Sequence, residues 1–166
     1  MSKVVFLFFC FFVFLSIGAG CGINNEIVLE EGKMQPVLEL TGNELGWSGS
    51  IIRRGPNEKN YYGNSLVIYG PAKDDVGNFT NSNLEIIEFG DLNFVKYAYS
   101  QEKCFKGSGK PIKILGMEAC CLNDETSSTS EAVMMKGKYL FRSYDALHSD
   151  CKAGEHLKKF WENYKQ

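Results

Sequence analysis

The stretch PIKILGMEACC, residues 111–121, predicts a β-strand that ends in two adjacent cysteines. Adjacent side chains on a strand point to opposite faces of the sheet, so Cys120 and Cys121 are expected to have different partners. A bond between the two would also close a small, strained ring. We therefore expect one of them to bond to Cys104 and the other to Cys151, and each bridge to contribute about 2–4 kcal/mol. The strand pattern leaves open which cysteine takes which partner.

Several other segments rich in β-branched and apolar residues lie between turn formers and also predict strands. Their ranges are 26–30, 36–41, 48–54, 65–70, 84–90, 92–100 and 138–144. Two polar stretches, 71–83 and 123–131, have the composition of loops. This pattern predicts a mainly β protein of the α+β class. We expect an antiparallel sheet or small sandwich, stapled by disulfides, with one C-terminal amphipathic helix.

The C-terminal helix is predicted from GEHLKKFWENYKQ, residues 154–166. Its large apolar residues follow the spacing i, i+3, i+4 and i+7, which forms one stripe on a helix; they are Leu157, Phe160, Trp161 and Tyr164. A surface helix normally buries such a stripe against the core, although the stripe could instead bind a partner. Because the bridges close the C-terminal third, we expect their reduction to loosen this helix before the strands predicted between residues 27 and 40.

The N-terminus has the features of an export signal. Lys3 precedes an apolar run, residues 4–17, and small residues follow it. The run is shorter than the roughly 20 residues that a membrane-spanning helix needs. A basic start, an apolar middle and a small-residue end predict a signal peptide over residues 1–20. Export would place the remaining chain in a compartment where disulfides form.

The end of this segment, Gly18-Ala19-Gly20-Cys21, resembles the lipobox of bacterial lipoprotein precursors, although Gly18 stands where that motif prefers an aliphatic residue. The resemblance covers residues 1–21. It implies lipid on Cys21, detectable as incorporated palmitate, and an anchor in the outer membrane or at the periplasmic face of the envelope. Residues 21–26 would then form a tether. The alternatives are ordinary cleavage after Gly20, which gives a secreted protein, and an uncleaved anchor.

The cysteine count favours lipid attachment. The chain has six cysteines, and Cys10 would be lost with the signal peptide, which leaves five. An odd cysteine in an exported protein needs an explanation. If Cys21 carries lipid, the other four can form two disulfides, whereas plain secretion leaves one thiol over.

The charge of the remaining chain excludes one class of partner. Removing residues 1–20 removes Lys3 and leaves 17 basic against 20 acidic residues, a weakly acidic balance of −3. Such a chain has no basic footprint for nucleic acid. The length suits one domain, which we predict over residues 27–166.

Two motifs resemble enzyme signatures without completing them. In GWSGS, residues 46–50, Ser48 lies where a nucleophile elbow has its serine, but Ser50 replaces the final glycine. In GSGK, residues 107–110, Pro111 follows where a phosphate loop has Ser or Thr. We expect a glycine-rich turn and a hairpin loop here, and no catalytic residue.

A third stretch, HSDCKAGEH at residues 148–156, contains both histidines of the chain beside Cys151 and two carboxylates. Histidine, cysteine and carboxylate side chains are the ligands that coordinate zinc in tetrahedral sites. A disulfide would remove Cys151 as a ligand, and the spacing matches no standard site. We expect two exposed histidines and no metal.

Together these patterns predict a non-catalytic envelope lipoprotein that needs no cofactor and presents a binding domain to a protein partner. Small bacterial lipoproteins of this general layout include periplasmic immunity proteins and enzyme inhibitors. The alternative is a secreted, disulfide-stapled eukaryotic domain of unknown binding function. In that case Asn78, in the acceptor tripeptide Asn78-Phe79-Thr80, is a candidate for glycosylation.

Overall fold

Seven antiparallel strands form one sheet in the computed structural model, which describes residues 29–47, 50–55, 64–73, 79–102, 104, 107 and 109–166. The strands are β1 Ile52–Arg54, β2 Ser65–Lys73, β3 Phe79–Glu88, β4 Lys110–Ile114, β5 Met117–Asp124, β6 Thr129–Lys136 and β7 Tyr139–Asp145. Their order across the sheet is β1-β2-β3-β7-β6-β5-β4. The predicted antiparallel, mainly β fold with a C-terminal helix is confirmed.

Three helices cover the sheet. They are α1 Glu31–Glu44, α2 Leu92–Gln101 and α3 Lys152–Tyr164. α1 and α3 pack against each other on one face, and α2 packs on β6 and β7 on the other face. The protein therefore has a helix–sheet–helix layering with an apolar core on each side of the sheet.

The larger core lies between the sheet and the helix pair α1–α3. The predicted stripe of α3 is buried there: Leu157, Phe160 and Trp161 have no exposed surface and Tyr164 has 3%. The Trp161 ring lies 4.9 Å from the Phe141 ring of β7. The stripe of α3 is thus core and not a partner surface.

Hydrogen bonds join the C-terminal end of α3 to both ends of α1. Near the end of α1, the Asn163 side-chain amide donates to Thr41 Oγ1 at 3.2 Å and to Glu44 Oε2 at 2.7 Å. Just before α1 begins, the Glu30 N–H donates to the Tyr164 hydroxyl at 2.6 Å. These bonds join residues more than a hundred positions apart and link the two helices directly.

The segment 36–41, predicted as a strand, lies inside α1, and that prediction is wrong. The buried residues of α1 are Met34, Val37, Leu38 and Thr41, spaced i, i+3, i+4 and i+7. This spacing buries one helical face, and it outweighs the strand preference of Val37. Pro36 lies inside α1, where it removes the hydrogen bond that an N–H would otherwise donate to the Gly32 carbonyl.

The segment 92–100, also predicted as a strand, is most of α2. The Asp91 carboxylate accepts the Asn93 N–H at 2.6 Å and so caps the helix. Val95 and Ala98 are buried on the smaller core, one helical turn apart. The Arg142 guanidinium of β7 pairs with the Glu102 carboxylate, with Nε–Oε1 2.8 Å, and holds the C-terminal end of α2.

The C-terminal part of the sheet also differs from the prediction. Residues 111–121 form two strands and not one, since Leu115 and Gly116 make a two-residue turn between Ile114 and Met117. The stretch 123–131, predicted as a loop, contains only a short turn, after which Thr129 begins β6. The Asp124 carboxylate accepts the Thr126 and Ser127 N–H groups in this turn.

Parts of other predicted elements lie outside the described residues. These are residues 26–28 of the first predicted strand, residues 48–49 and residues 74–78 of the polar stretch 71–83. The prediction of a loop over 71–83 is otherwise wrong: residues 71–73 end β2 and residues 79–83 begin β3, because the pairing of these two strands continues through them. Residues 29 and 30, at the end of the first predicted strand, lie just before α1 and in no strand. The remaining predicted strands correspond to β1, β2, β3 and β7 with shifted ends. In the part of the chain that the structure describes, no helix is long and apolar enough to cross a membrane.

Candidate functional site

The two disulfides lie on opposite faces of β5. Cys104 bonds to Cys120 in the smaller core, and Cys121 bonds to Cys151 just before α3. The structure thus confirms the predicted arrangement, in which the adjacent cysteines take different partners, and it decides the pairing. Gly109 fits against Cys104, since a Cβ at Gly109 would lie 2.1 Å from the Cys104 carbonyl oxygen.

The most unusual group of polar side chains in the described structure lies beside the second disulfide, between the sheet and the start of α3. Ser143 and Asp145 lie two residues apart on β7 and so point to the same face. His156 of α3 lies against both, with Nδ1 3.1 Å from Ser143 Oγ and Nε2 3.4 Å from Asp145 Oδ2. All three side chains are buried.

This order of contacts, serine to histidine to aspartate, is that of a hydrolase triad, and the hydrogen positions test the resemblance. Ser143 Oγ donates to the Asn83 carbonyl oxygen at 3.1 Å. Because a serine hydroxyl has a single hydrogen, Ser143 Oγ then accepts from His156 Nδ1–H. In a triad the serine gives its proton to the histidine, so this bond runs in the opposite direction.

Access argues the same way. Ser143 is 2% exposed and His156 is 4% exposed. The Trp47 and His156 rings also pack in a T-shaped pair, with ring centroids 5.0 Å apart. A nucleophile must reach its substrate, and this hydroxyl is buried and engaged with the backbone. The group is therefore a buried polar network that fixes α3 on the sheet.

The environment of His156 sets its charge. Burial lowers the pKa of His156, and this effect outweighs the opposing attraction of Asp145. The imidazole is neutral at pH 7. The Asp145 carboxylate is satisfied elsewhere, since its Oδ1 accepts from the N–H groups of Leu147 and His148 and from the His148 ring.

The histidine prediction is half wrong. His148 is exposed as expected, with 54% of its side chain accessible, but His156 is buried because its ring faces the sheet and not solvent. Among the described residues, no three His, Cys, Asp or Glu side chains are arranged to hold a metal ion. Lys110, the last residue of the GSGK motif, is exposed at the start of β4.

Three of the sequence-predicted sites lie outside the described residues: the lipid-attachment residue Cys21, Ser48 and the glycosylation candidate Asn78. Sequence analysis missed Ser143 and Asp145. Their alternation on β7 could have placed them on one face, but nothing in the sequence pairs them with His156, which follows after a bend and a helix start.

The surface offers two features that a partner could use. A cleft of about 730 Å³ opens between the start of α1 and strands β1 to β3, with Gln35, Glu39, Arg53 and Arg54 among its lining residues. The outer side of α2 exposes Phe94 at 57% and Tyr97 at 55%. Exposed apolar side chains of this size are typical of binding surfaces when they cluster.

Comparison with known proteins adds no relative to this description: no family model, no curated protein and no solved structure matches the chain.

Proposed function

We propose that the protein is a non-catalytic lipoprotein of the cell envelope, tethered by lipid on Cys21, and that its β-rich domain binds a protein partner. One observation carries the anchor. The four cysteines beyond Cys21 are paired as Cys104–Cys120 and Cys121–Cys151. If the signal peptide takes Cys10 with it, Cys21 is the one cysteine left without a disulfide partner, at the position where a lipoprotein carries its lipid.

The binding role is supported by the surface and the buried network together. The Ser143–His156–Asp145 contacts hold α3 in place and leave no reachable nucleophile in that group. The exposed residues of α2 and the cleft beside α1 are the surfaces best suited to a partner. Inhibitors and immunity-type proteins act in this way, by occupying another protein with a rigid domain.

The anchor is tested by comparing Cys21→Ser with Cys10→Ser in a bacterial host. We expect wild type and Cys10→Ser to incorporate palmitate and to stay in the membrane fraction. Cys21→Ser should lose both properties, since lipid attachment needs this thiol. Palmitate that persists in Cys21→Ser, or that never appears in wild type, would contradict the proposal. The second result, with protein found in the medium, would favour the secreted alternative.

The absence of catalysis is tested at the motifs that most resemble enzyme sites. Single substitution of Ser48, Lys110 or His148 should change the biological activity by only a few-fold. Loss of a catalytic group lowers the rate of an enzyme roughly a thousandfold or more. A loss of that size at any of the three residues, with folding intact by circular dichroism, would restore the enzyme hypothesis.

A further inference from the structure

One end of the sheet lies beside the start of the first described segment. Leu29, the first described residue, lies against the β6–β7 turn, since a Cβ at Gly137 would be 4.0 Å from Leu29 Cδ1. The strand register puts the β4–β5 turn, Leu115-Gly116, level with it. We call this end the turn end; the opposite end, with Asp145 and Cys151, is the far end.

Leu115 has an unexpected conformation for its type. It has φ 49° and Gly116 has φ 85°, the left-handed pair of a type I′ turn. Such turns favour Asn, Asp or Gly at the first position, because a side chain with a Cβ is strained there. Leu115 is also 37% exposed. An exposed, strained leucine at a hairpin tip is not explained by folding, and it points to a contact outside the domain.

A second leucine is exposed at the same end. Leu92 is 47% exposed at the start of α2. It follows Phe89, whose N–H donates to the Lys138 carbonyl of the β6–β7 turn at 2.9 Å. The turn end therefore presents two exposed leucines on separate elements, and Lys136 and Lys138 lie at the same end, at the β6–β7 turn. Lysine side chains suit the headgroup level of a bilayer, where the stem is apolar and the amine is wet.

The length of chain between Cys21 and Leu29 limits which end of the sheet can meet a membrane. Fully extended, this segment spans at most about 29 Å, at 3.6 Å per residue. The seven residues of β7, which run from the turn end to Asp145 at the far end, span about 23 Å. The far end could rest on the bilayer only if most of that reach were spent along the domain, whereas the turn end lies beside Leu29 and needs little of it.

We infer that the turn end rests on the lipid bilayer, with Leu115 and Leu92 inserted at the headgroup boundary. The inference depends on the proposed anchor at Cys21. Charge does not drive the contact, because Glu88 pairs with Lys138 and Glu118 with Lys113 at this end. Insertion of the two apolar leucine side chains supplies the binding free energy, as in other segments that bind at a membrane interface. The far end and the cleft side of the domain then face away from the membrane, toward a partner.

The test uses tryptophan reporters in the full-length lipidated protein. Leu115→Trp and Leu92→Trp each report on the turn end, and Leu40→Trp, at a position 43% exposed near the end of α1, is the matched control. Tyr97→Trp reports on the outer side of α2. The native Trp47 and Trp161 are buried and give a constant background. Each variant is floated with vesicles of phosphatidylethanolamine and phosphatidylglycerol that carry bromine, a quencher, on the acyl chains.

We expect every variant to float with the vesicles. We expect bromine to quench Leu115→Trp and Leu92→Trp and to shift their emission to shorter wavelength, while Leu40→Trp and Tyr97→Trp stay unchanged. Flotation without quenching at the turn end overturns this inference and leaves the anchor intact. Quenching of Tyr97→Trp alone shows that the domain lies on α2 instead and also overturns it. Failure to float overturns the anchor and this inference together.

A second measurement covers self-association and folding. Unlipidated Cys21→Ser protein should remain a monomer by size-exclusion chromatography, with and without the added change Leu115→Asn. If the protein forms a dimer and Leu115→Asn converts it to a monomer, the β4–β5 turn binds a second copy of the chain, and the inference is overturned. Hydrogen exchange of the wild type provides a readout that needs no substitution at the tip: vesicles should slow exchange at residues 89–92 and 115–117.

Discussion

Removal of the Cys121–Cys151 bridge should cost more stability than removal of the Cys104–Cys120 bridge. The reason is the length of chain that each bond closes, 30 residues against 16. Loop-closure entropy then gives about 3.6 kcal/mol for Cys121–Cys151 and about 3.1 kcal/mol for Cys104–Cys120. A typical domain has only about 5–15 kcal/mol of stability in total, so either loss is a large share of it.

The position of Cys151 determines where the loss appears. It precedes α3 with a left-handed backbone, φ 64°, and its side chain makes no capping hydrogen bond. Without the bridge, the first turn of α3 loses its covalent attachment to β5. The other end of α3 remains bonded to α1 through Asn163 and Tyr164. We therefore expect α1 and α3 to lose protection together, and not α3 before the segment 27–40, as the sequence had suggested.

The assay compares Cys121→Ser/Cys151→Ser with Cys104→Ser/Cys120→Ser by urea unfolding, and both with wild type by native-state hydrogen exchange. The second double variant is the matched control, since it removes the same number of sulfur atoms. A loss below about 1 kcal/mol for the first variant would refute the loop-entropy argument. A larger loss for the second variant would do the same. Rapid exchange in α3 with α1 still protected would refute the coupling of the two helices.

Three further predictions concern single residues. Trp161→Ala removes a fully buried ring from the larger core, and urea unfolding should show a loss of about 3–5 kcal/mol. Burial lowers the pKa of His156, so the unfolded chain takes up a proton on this histidine at a higher pH than the folded chain does. The free energy of unfolding of the wild type should therefore fall as the pH drops below 6.5. His156→Gln should reduce this pH dependence, as measured by urea midpoints from pH 5 to 8. Leu115→Asn suits the left-handed turn better, and it should raise the free energy of unfolding by about 1 kcal/mol while weakening the vesicle contact.

Local patterns in the sequence were enough for the features that depend on a short stretch of chain. The stripe Leu157, Phe160, Trp161 and Tyr164 fixed α3, because helical spacing can be counted directly. Adjacent cysteines on a strand fixed the two-partner disulfide arrangement, because alternation is a property of the backbone alone. The antiparallel, mainly β class followed from short apolar segments between turns.

The predictions were wrong where the strand preference of single residues conflicted with the helical spacing of the apolar residues. Segments 36–41 and 92–100 contain residues that favour strands, yet Met34, Leu38 and Val95 pack as helical faces. Burial of those faces depends on the sheet being present, and its free energy exceeds the small intrinsic preferences. The missed strand β6 has buried side chains on both faces, among them Val133 and Met134, so it lacks the polar alternation of a half-exposed strand.

The buried network and the turn end were decided by tertiary structure alone. His156 meets Ser143 and Asp145 only because α3 returns across β7, and no spacing in the chain encodes that contact. Leu115 and Leu92 share one end of the sheet only because the register brings a hairpin tip and a helix start level with each other. The sequence by itself determined the terminal helix, since its stripe is local; the export signal and the lipid on Cys21 are also read from local patterns and stay predictions. Packing decided which groups meet, because long-range contacts depend on the whole sheet.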